Sequence, residues 1–142
     1  MYSRILLPTD GSEHARVAVD NALSLAEAYD TDIHVVHVIN TLRYDTSIES
    51  QVEPLRTNGQ RYLKEIEQAT SGTDVSVSTA IEMGRPGRVL LEYADEHDID
   101  LVVMGTRGRG GLPRRLLGSV TNHLVTHADI PVHVVPPADN RD

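Results

Sequence analysis

Leu101-Val102-Val103-Met104-Gly105-Thr106-Arg107-Gly108-Arg109-Gly110-Gly111-Leu112-Pro113-Arg114-Arg115-Leu116-Leu117-Gly118-Ser119-Val120 is the stretch on which the reading of this chain turns. A continuous apolar run that stops abruptly in glycine reads as a buried parallel strand. It feeds a loop whose backbone bends sharply and comes close to something. That something is an anion: from Gly105 to His127 there are four arginines and no Asp or Glu, in a protein whose formal charge is −8. The spacing sharpens the inference. Gly105 and Gly108, then Gly118-Ser119, make G-x-x-G, nine residues, G-S. Glycines let phosphate oxygens reach backbone N–H groups with no Cβ in the way. A helix is expected to begin at Ser119 as its N-cap, with free first-turn amides and the positive end of the helix dipole beside them.

Outward from this stretch, apolar runs and helical periodicities alternate. Arg4 to Leu7 is a short strand closed by Pro8-Thr9-Asp10-Gly11, and Ser12 caps a helix with an apolar face of Ala15, Ala18, Val19, Ala22, Leu25, Ala26 and Tyr29. Ile33 to Ile39 is a second strand. The polar loop Asn40 to Ser47, with Arg43 and Tyr44, has the length of a lid or of a plain surface connection. A second helix runs from about Ile48 to Ala69, with Ile48, Val52, Leu55, Gly59, Tyr62, Ile66 and Ala69 on one face, and Pro54 marks either its start or a kink. The alternation Val75 to Ile81 leaves one face wet, which marks an edge strand. Pro86 opens a third helix to about His97 with Leu90, Tyr93 and Ala94 inward. A fourth, from Ser119 to Ala128, precedes a last strand at Val132 to Val135 and the polar tail 136–142. Such alternation predicts an α/β fold, an open five-stranded parallel sheet with helices on both faces, in a single domain over residues 1–142.

Composition excludes several classes. With no Cys there is neither a disulfide framework nor a thiolate metal site. No apolar run reaches the roughly 20 residues of a membrane span, and Met1-Tyr2-Ser3-Arg4-Ile5 moves straight into a strand, so a cytoplasmic protein with no membrane partner is expected. The acidic balance argues against nucleic acid, which needs a broad positive field. Lys64 is the only lysine, on a surface helix, so the P-loop lysine is missing. No G-x-S-x-G surrounds Ser12 or Ser119. A receiver domain is disfavoured by Val135-Pro136 after the last strand. A nucleotidyltransferase is disfavoured because Thr9-Asp10-Gly11-Ser12-Glu13-His14 replaces H-x-G-H. His34 and His37 lie three apart in a strand and point to opposite faces. His123 and His127 share a helix face but lack the glutamate of a metalloprotease motif, and the second reads as a helix-dipole partner. Tyr62 and Tyr93 fit helix core faces.

Leu7-Pro8-Thr9-Asp10-Gly11-Ser12, His37-Val38-Ile39, Gly105 through Ser119 and Ile130-Pro131-Val132 together resemble the pattern of the universal stress protein (UspA) family, from Arg4 to Val135. Within it, G-x-x-G, nine residues, G-S resembles the ATP-binding branch. The resemblance implies a Rossmann-like fold of the adenine nucleotide alpha hydrolase type with strand order 3-2-1-4-5. That order has a switch point between strands one and four, where open α/β sheets bind ligands. It also implies roles: Pro8, Thr9 and Asp10 line the adenosine side, with Asp10 set to hold a ribose hydroxyl or approach Mg²⁺. Val38 and Met104 flank the adenine. Gly105, Arg107, Gly108, Gly118, Ser119 and Val120 serve the phosphates. For Arg109, Arg114 and Arg115 a solvated basic loop is the simpler reading. In that order Val132 to Val135 is an apolar edge, which antiparallel pairing with a second copy would cover, so a homodimer is expected. No residue stands out as a general base on water, so ATP hydrolysis is at most slow and catalytic residues are none. The expected function is an ATP-binding, nucleotide-dependent stress-response regulator. The alternative is an interaction protein of the same fold that binds no nucleotide and acts through its dimer surface.

Overall fold

The computed structural model describes residues 2–106 and 117–136. Nine elements alternate along it: β1 (Arg4–Pro8), α1 (Glu13–Tyr29), β2 (Asp32–Asn40), α2 (Glu49–Thr70), β3 (Val77–Gly84), α3 (Pro86–Glu96), β4 (Leu101–Gly105), α4 (Ser119–His127) and β5 (Val132–Val135). The strands form one sheet in the order β3-β2-β1-β4-β5, every pairing parallel. This is the Rossmann-like arrangement with the switch point between β1 and β4.

Period-two alternation divides the strand side chains between two layers. Ile5, Leu7, Ile33, Val35, Leu101 and Val103 face α1 and α2, where Ala18, Ala22, Ala26, Leu63 and Ile66 cover them. Leu6, Val36, Val102 and Met104 face the other way, beneath Leu90, Tyr93, Ala94 and Leu124 of α3 and α4. All five residues of β4 are buried, as expected of a central strand. Edge strand β3 leaves Ser78, Thr79 and Met83 exposed.

Local chemistry sets the element ends. The Ser12 hydroxyl accepts the Ala15 amide at 3.2 Å and caps α1, while Asp30 closes it in the left-handed region at φ 56°. The Asp100 carboxylate accepts the amides of Ser3 and Arg4 at 2.8 and 3.2 Å, fixing the start of β1 beside the chain that enters β4. Two sequence expectations shift. In α2, Ile48 and Ala69 are exposed whereas Leu63 and Thr70 are buried, because the apolar stripe steps from Ile66 to the residue four on. Pro54 lies inside α2 and does not start it.

Candidate functional site

Strands β1, β2 and β4 end on the same side of the sheet, and the chain leaves β1 and β4 toward opposite layers. The gap so created is a crevice of about 440 Å³, within the size range of small-molecule sites. Nine of the residues singled out from the sequence line it: Pro8, Thr9 and Asp10 after β1, Val38 on β2, Met104 and Gly105 at the end of β4, and Gly118, Ser119 and Val120 at the start of α4. They come from four elements and two ends of the chain. Arg107 and Gly108, with Arg109, Arg114 and Arg115, lie outside the described residues.

On the β1 side the amides of Thr9, Gly11 and Ser12 are each tied. The Thr9 amide donates to the Val36 carbonyl at 3.0 Å. Thr9 Oγ1 accepts the Gly11 amide at 3.2 Å, and Asp10 Oδ1 accepts the Ser12 amide at 2.9 Å. The turn therefore presents Asp10 to the crevice with one carboxylate oxygen already engaged, at a glycine with φ +81° that favours no side chain.

On the β4 side, α4 is strapped to the strand that precedes it. The Gly118 amide donates to the Thr106 carbonyl at 2.7 Å, and the buried Thr121 hydroxyl donates to the Gly105 carbonyl at 2.9 Å. One expectation is corrected here: the N-cap of α4 is Gly118, and Ser119 is the first helical residue. Gly118, its amide tied to Thr106, is still extended at φ −64° and ψ 161°, so helical geometry begins only at Ser119. Gly118 has no side chain with which to cap the helix, so among the described residues no N-cap hydroxyl stands in front of the first-turn N–H groups at the crevice. Thr106 Oγ1 is buried without a hydrogen-bond partner next to Gly105.

The third wall comes from the β2–α2 loop, for which the sequence offers a lid or a plain connection, and from α2. Arg43 and Tyr44 of the β2–α2 loop line the crevice, and so do Leu55, Asn58 and Tyr62 of α2. Tyr62, expected in the core, instead packs over Gly11 at the rim. No short-range signal marks this, because it depends on α2 crossing the β1–α1 turn. Among the described lining residues Asp10 is the single carboxylate and Arg43 the single guanidinium.

His34 and His37 do point to opposite faces. His34 shares a 2.8 Å hydrogen bond with the Tyr93 hydroxyl on the α3 side, and Tyr93 stacks on His97 at 3.8 Å. Burial, then the charge of His97, lowers the His34 pKa, with Asp32 acting in the opposite sense. Burial, then Glu82, raises that of Tyr93. His37 Nδ1 donates to the Thr9 carbonyl at 2.9 Å on the α2 side. His123 and His127 have ring centroids 4.4 Å apart on α4. Among the described residues no group of three His, Cys, Asp or Glu gathers as a metal site, and no helix is long and apolar enough to cross a membrane.

The profile of the universal stress protein family matches residues 1–136. A universal stress protein of Methanocaldococcus jannaschii is 34% identical over 140 residues, covering 95% of this chain and 82% of that protein. The structure of universal stress protein UspA from Lactobacillus plantarum superposes with a TM-score of 0.84 at 27% identity, over 94% of this chain and 97% of that one. A universal stress protein solved in complex with cAMP shares the fold, with a TM-score of 0.70 at 24% identity over 96% and 98% of the two chains.

Proposed function

This chain belongs to the universal stress protein family, and from that premise we propose that it binds ATP in the crevice between β1 and β4 and serves as a nucleotide-dependent regulator of the stress response. The observation that carries the reading is the convergence of Pro8, Thr9, Asp10, Val38, Met104 and Gly105 on the uncapped start of α4 at Gly118, Ser119 and Val120. Each part has a matching partner on the nucleotide. Val38 and Met104 offer apolar walls for the adenine ring, and Asp10 offers an acceptor for a ribose hydroxyl. The first-turn amides of α4, with the helix dipole behind them, suit phosphate oxygens. The cAMP held by a neighbour of the same fold is in keeping with an adenine nucleotide as the ligand class.

The donor set also fits Mg²⁺. This ion takes one or two carboxylates and completes its shell with phosphate oxygens and water, and Asp10 is the one carboxylate on the described crevice wall. Bound there, Mg²⁺ would offset phosphate charge. Arg107 and Gly108 are proposed to add to the phosphate grip. No described side chain stands at the α4 end as a general base, so we propose that hydrolysis is slow at most. The protein is proposed to act in the cytoplasm as a homodimer, in which the apolar edge β5, Val132–Val135, pairs with the same strand of a second copy. Light scattering should then give a mass near twice 15.6 kDa.

Thermal unfolding tests the nucleotide reading. At ATP-Mg²⁺ one hundred times its dissociation constant, linkage adds about 2.7 kcal/mol, a rise in Tm of roughly 5 to 10 °C for a chain of this size. No rise with ATP, ADP or AMP would favour an interaction protein working through its dimer surface alone.

A further inference from the structure

The Thr9–Gly11 turn, which carries Asp10, lies between two cavities. The crevice is on one side. A second groove of about 430 Å³, between α1 and α2, is on the other; Thr9 and Tyr62 line both, while Asp10 faces the crevice and Gly11 the groove. A turn with open space on two sides is placed by discrete contacts and not by close packing. Two of those contacts come from side chains outside it. His37 Nδ1 reaches the Thr9 carbonyl at 2.9 Å. A carbonyl only accepts, so Nδ1 carries the proton and the tautomer is fixed. The Tyr62 ring rests on Gly11 so closely that a Cβ there would stand 2.4 Å from Cε1. The two rings brace one another edge to face, with centroids 5.3 Å apart, and the guanidinium of Arg61 lies 5.4 Å from the Tyr62 centroid. Gly59 closes the brace from behind, since a Cβ on it would meet His37 Cδ2 at 2.7 Å.

We propose that His37 and Tyr62 are positioning residues for ligand binding: they hold the Thr9–Gly11 turn from the α2 side, so that Asp10 stands where a ribose meets it. The inference rests on the nucleotide reading above and deepens it. It makes the adenosine half of the site depend on α2, while the phosphate half depends on the separate straps from Gly118 and Thr121 to the end of β4. The two halves should therefore fail independently.

The test uses the whole protein and titrates AMP, ATP-Mg²⁺ and inorganic tripolyphosphate into wild type, His37→Phe, His37→Asn and Tyr62→Leu. His37→Phe keeps a ring but removes the donor, and should weaken AMP and ATP by about five- to tenfold, the worth of one hydrogen bond, while tripolyphosphate binds as to wild type. Asn places an N–H close to the position of Nδ1, so His37→Asn should recover binding to within about threefold of wild type. Tyr62→Leu should follow His37→Phe. Unchanged AMP affinity in His37→Phe, no rescue by Asn, or an equal loss of all three ligands alongside a lowered Tm would overturn the proposal. A wild-type protein that binds no nucleotide would refute the earlier reading instead. The positioning claim then stands or falls on hydrogen exchange at the Gly11 and Ser12 amides: faster in His37→Phe but not in His37→Asn supports it, and equal rates in all three proteins refute it.

Discussion

Gly59→Ala sets two effects of comparable size against each other, and the structure decides between them. Gly59 lies inside α2, where replacing glycine by alanine normally stabilises a helix by about 1 kcal/mol. Here the added Cβ would stand 2.7 Å from His37 Cδ2 and 3.3 Å from Ile81 Cδ1. The imidazole has little freedom to yield, because its Nδ1 is held by Thr9 and its face is braced by Tyr62. Overpacking of this kind costs roughly 1 to 3 kcal/mol, so the expected net effect is a loss of about 1 kcal/mol, or a Tm lower by roughly 3 °C. Urea denaturation followed by circular dichroism measures it directly. The same substitution in a His37→Ala background provides the internal control: with the ring gone the helix gain should emerge and the sign reverse. If Gly59→Ala stabilises the otherwise wild-type protein by about 1 kcal/mol, the brace has been misread.

Thr121→Val removes the buried hydroxyl that satisfies the Gly105 carbonyl, and should cost roughly 1 to 3 kcal/mol in the same denaturation assay while weakening ATP binding. Asp10→Asn keeps an oxygen for the Ser12 amide, so stability should hold; the added affinity that Mg²⁺ gives ATP should disappear in calorimetry. Acid should destabilise the fold through His34. Its folded pKa lies below the ordinary 6.5, so the unfolded chain takes up the proton first; the contribution is present above pH 6.5 and is lost as pH falls below it. Denaturation at pH 7.5, 6.5 and 5.5 should show a decline that His34→Gln flattens.

Much of the fold was legible because its signals are local. Pro86 at the first turn of α3 with Leu90, Tyr93 and Ala94 inward, and the four-residue run of β5, stand where period and punctuation put them. The order of the strands was not local: alternation gives a parallel sheet, and only the resemblance of whole motifs implied 3-2-1-4-5. Within the site, glycine and turn chemistry pointed to residues that the fold does gather, because backbone amides need those residue types wherever they bind. What escaped was long-range. Gly118 takes the N-cap place expected of Ser119, with its amide tied to the Thr106 carbonyl on the far side of the glycine-rich loop, and Tyr62 leaves the core face because α2 passes over Gly11. Helical spacing shows which residues share a face but not what that face meets.

The central claim is that main-chain amides at the head of α4 take hold of the phosphates of an adenine nucleotide. Titrating ATP into isotopically labelled protein and following amide resonances tests it most directly. The account predicts that the Ser119, Val120 and Thr121 amides move furthest and saturate together with those of Gly105 and Asp10. Resonances at the start of α4 that stay in place while ATP is in excess would contradict it.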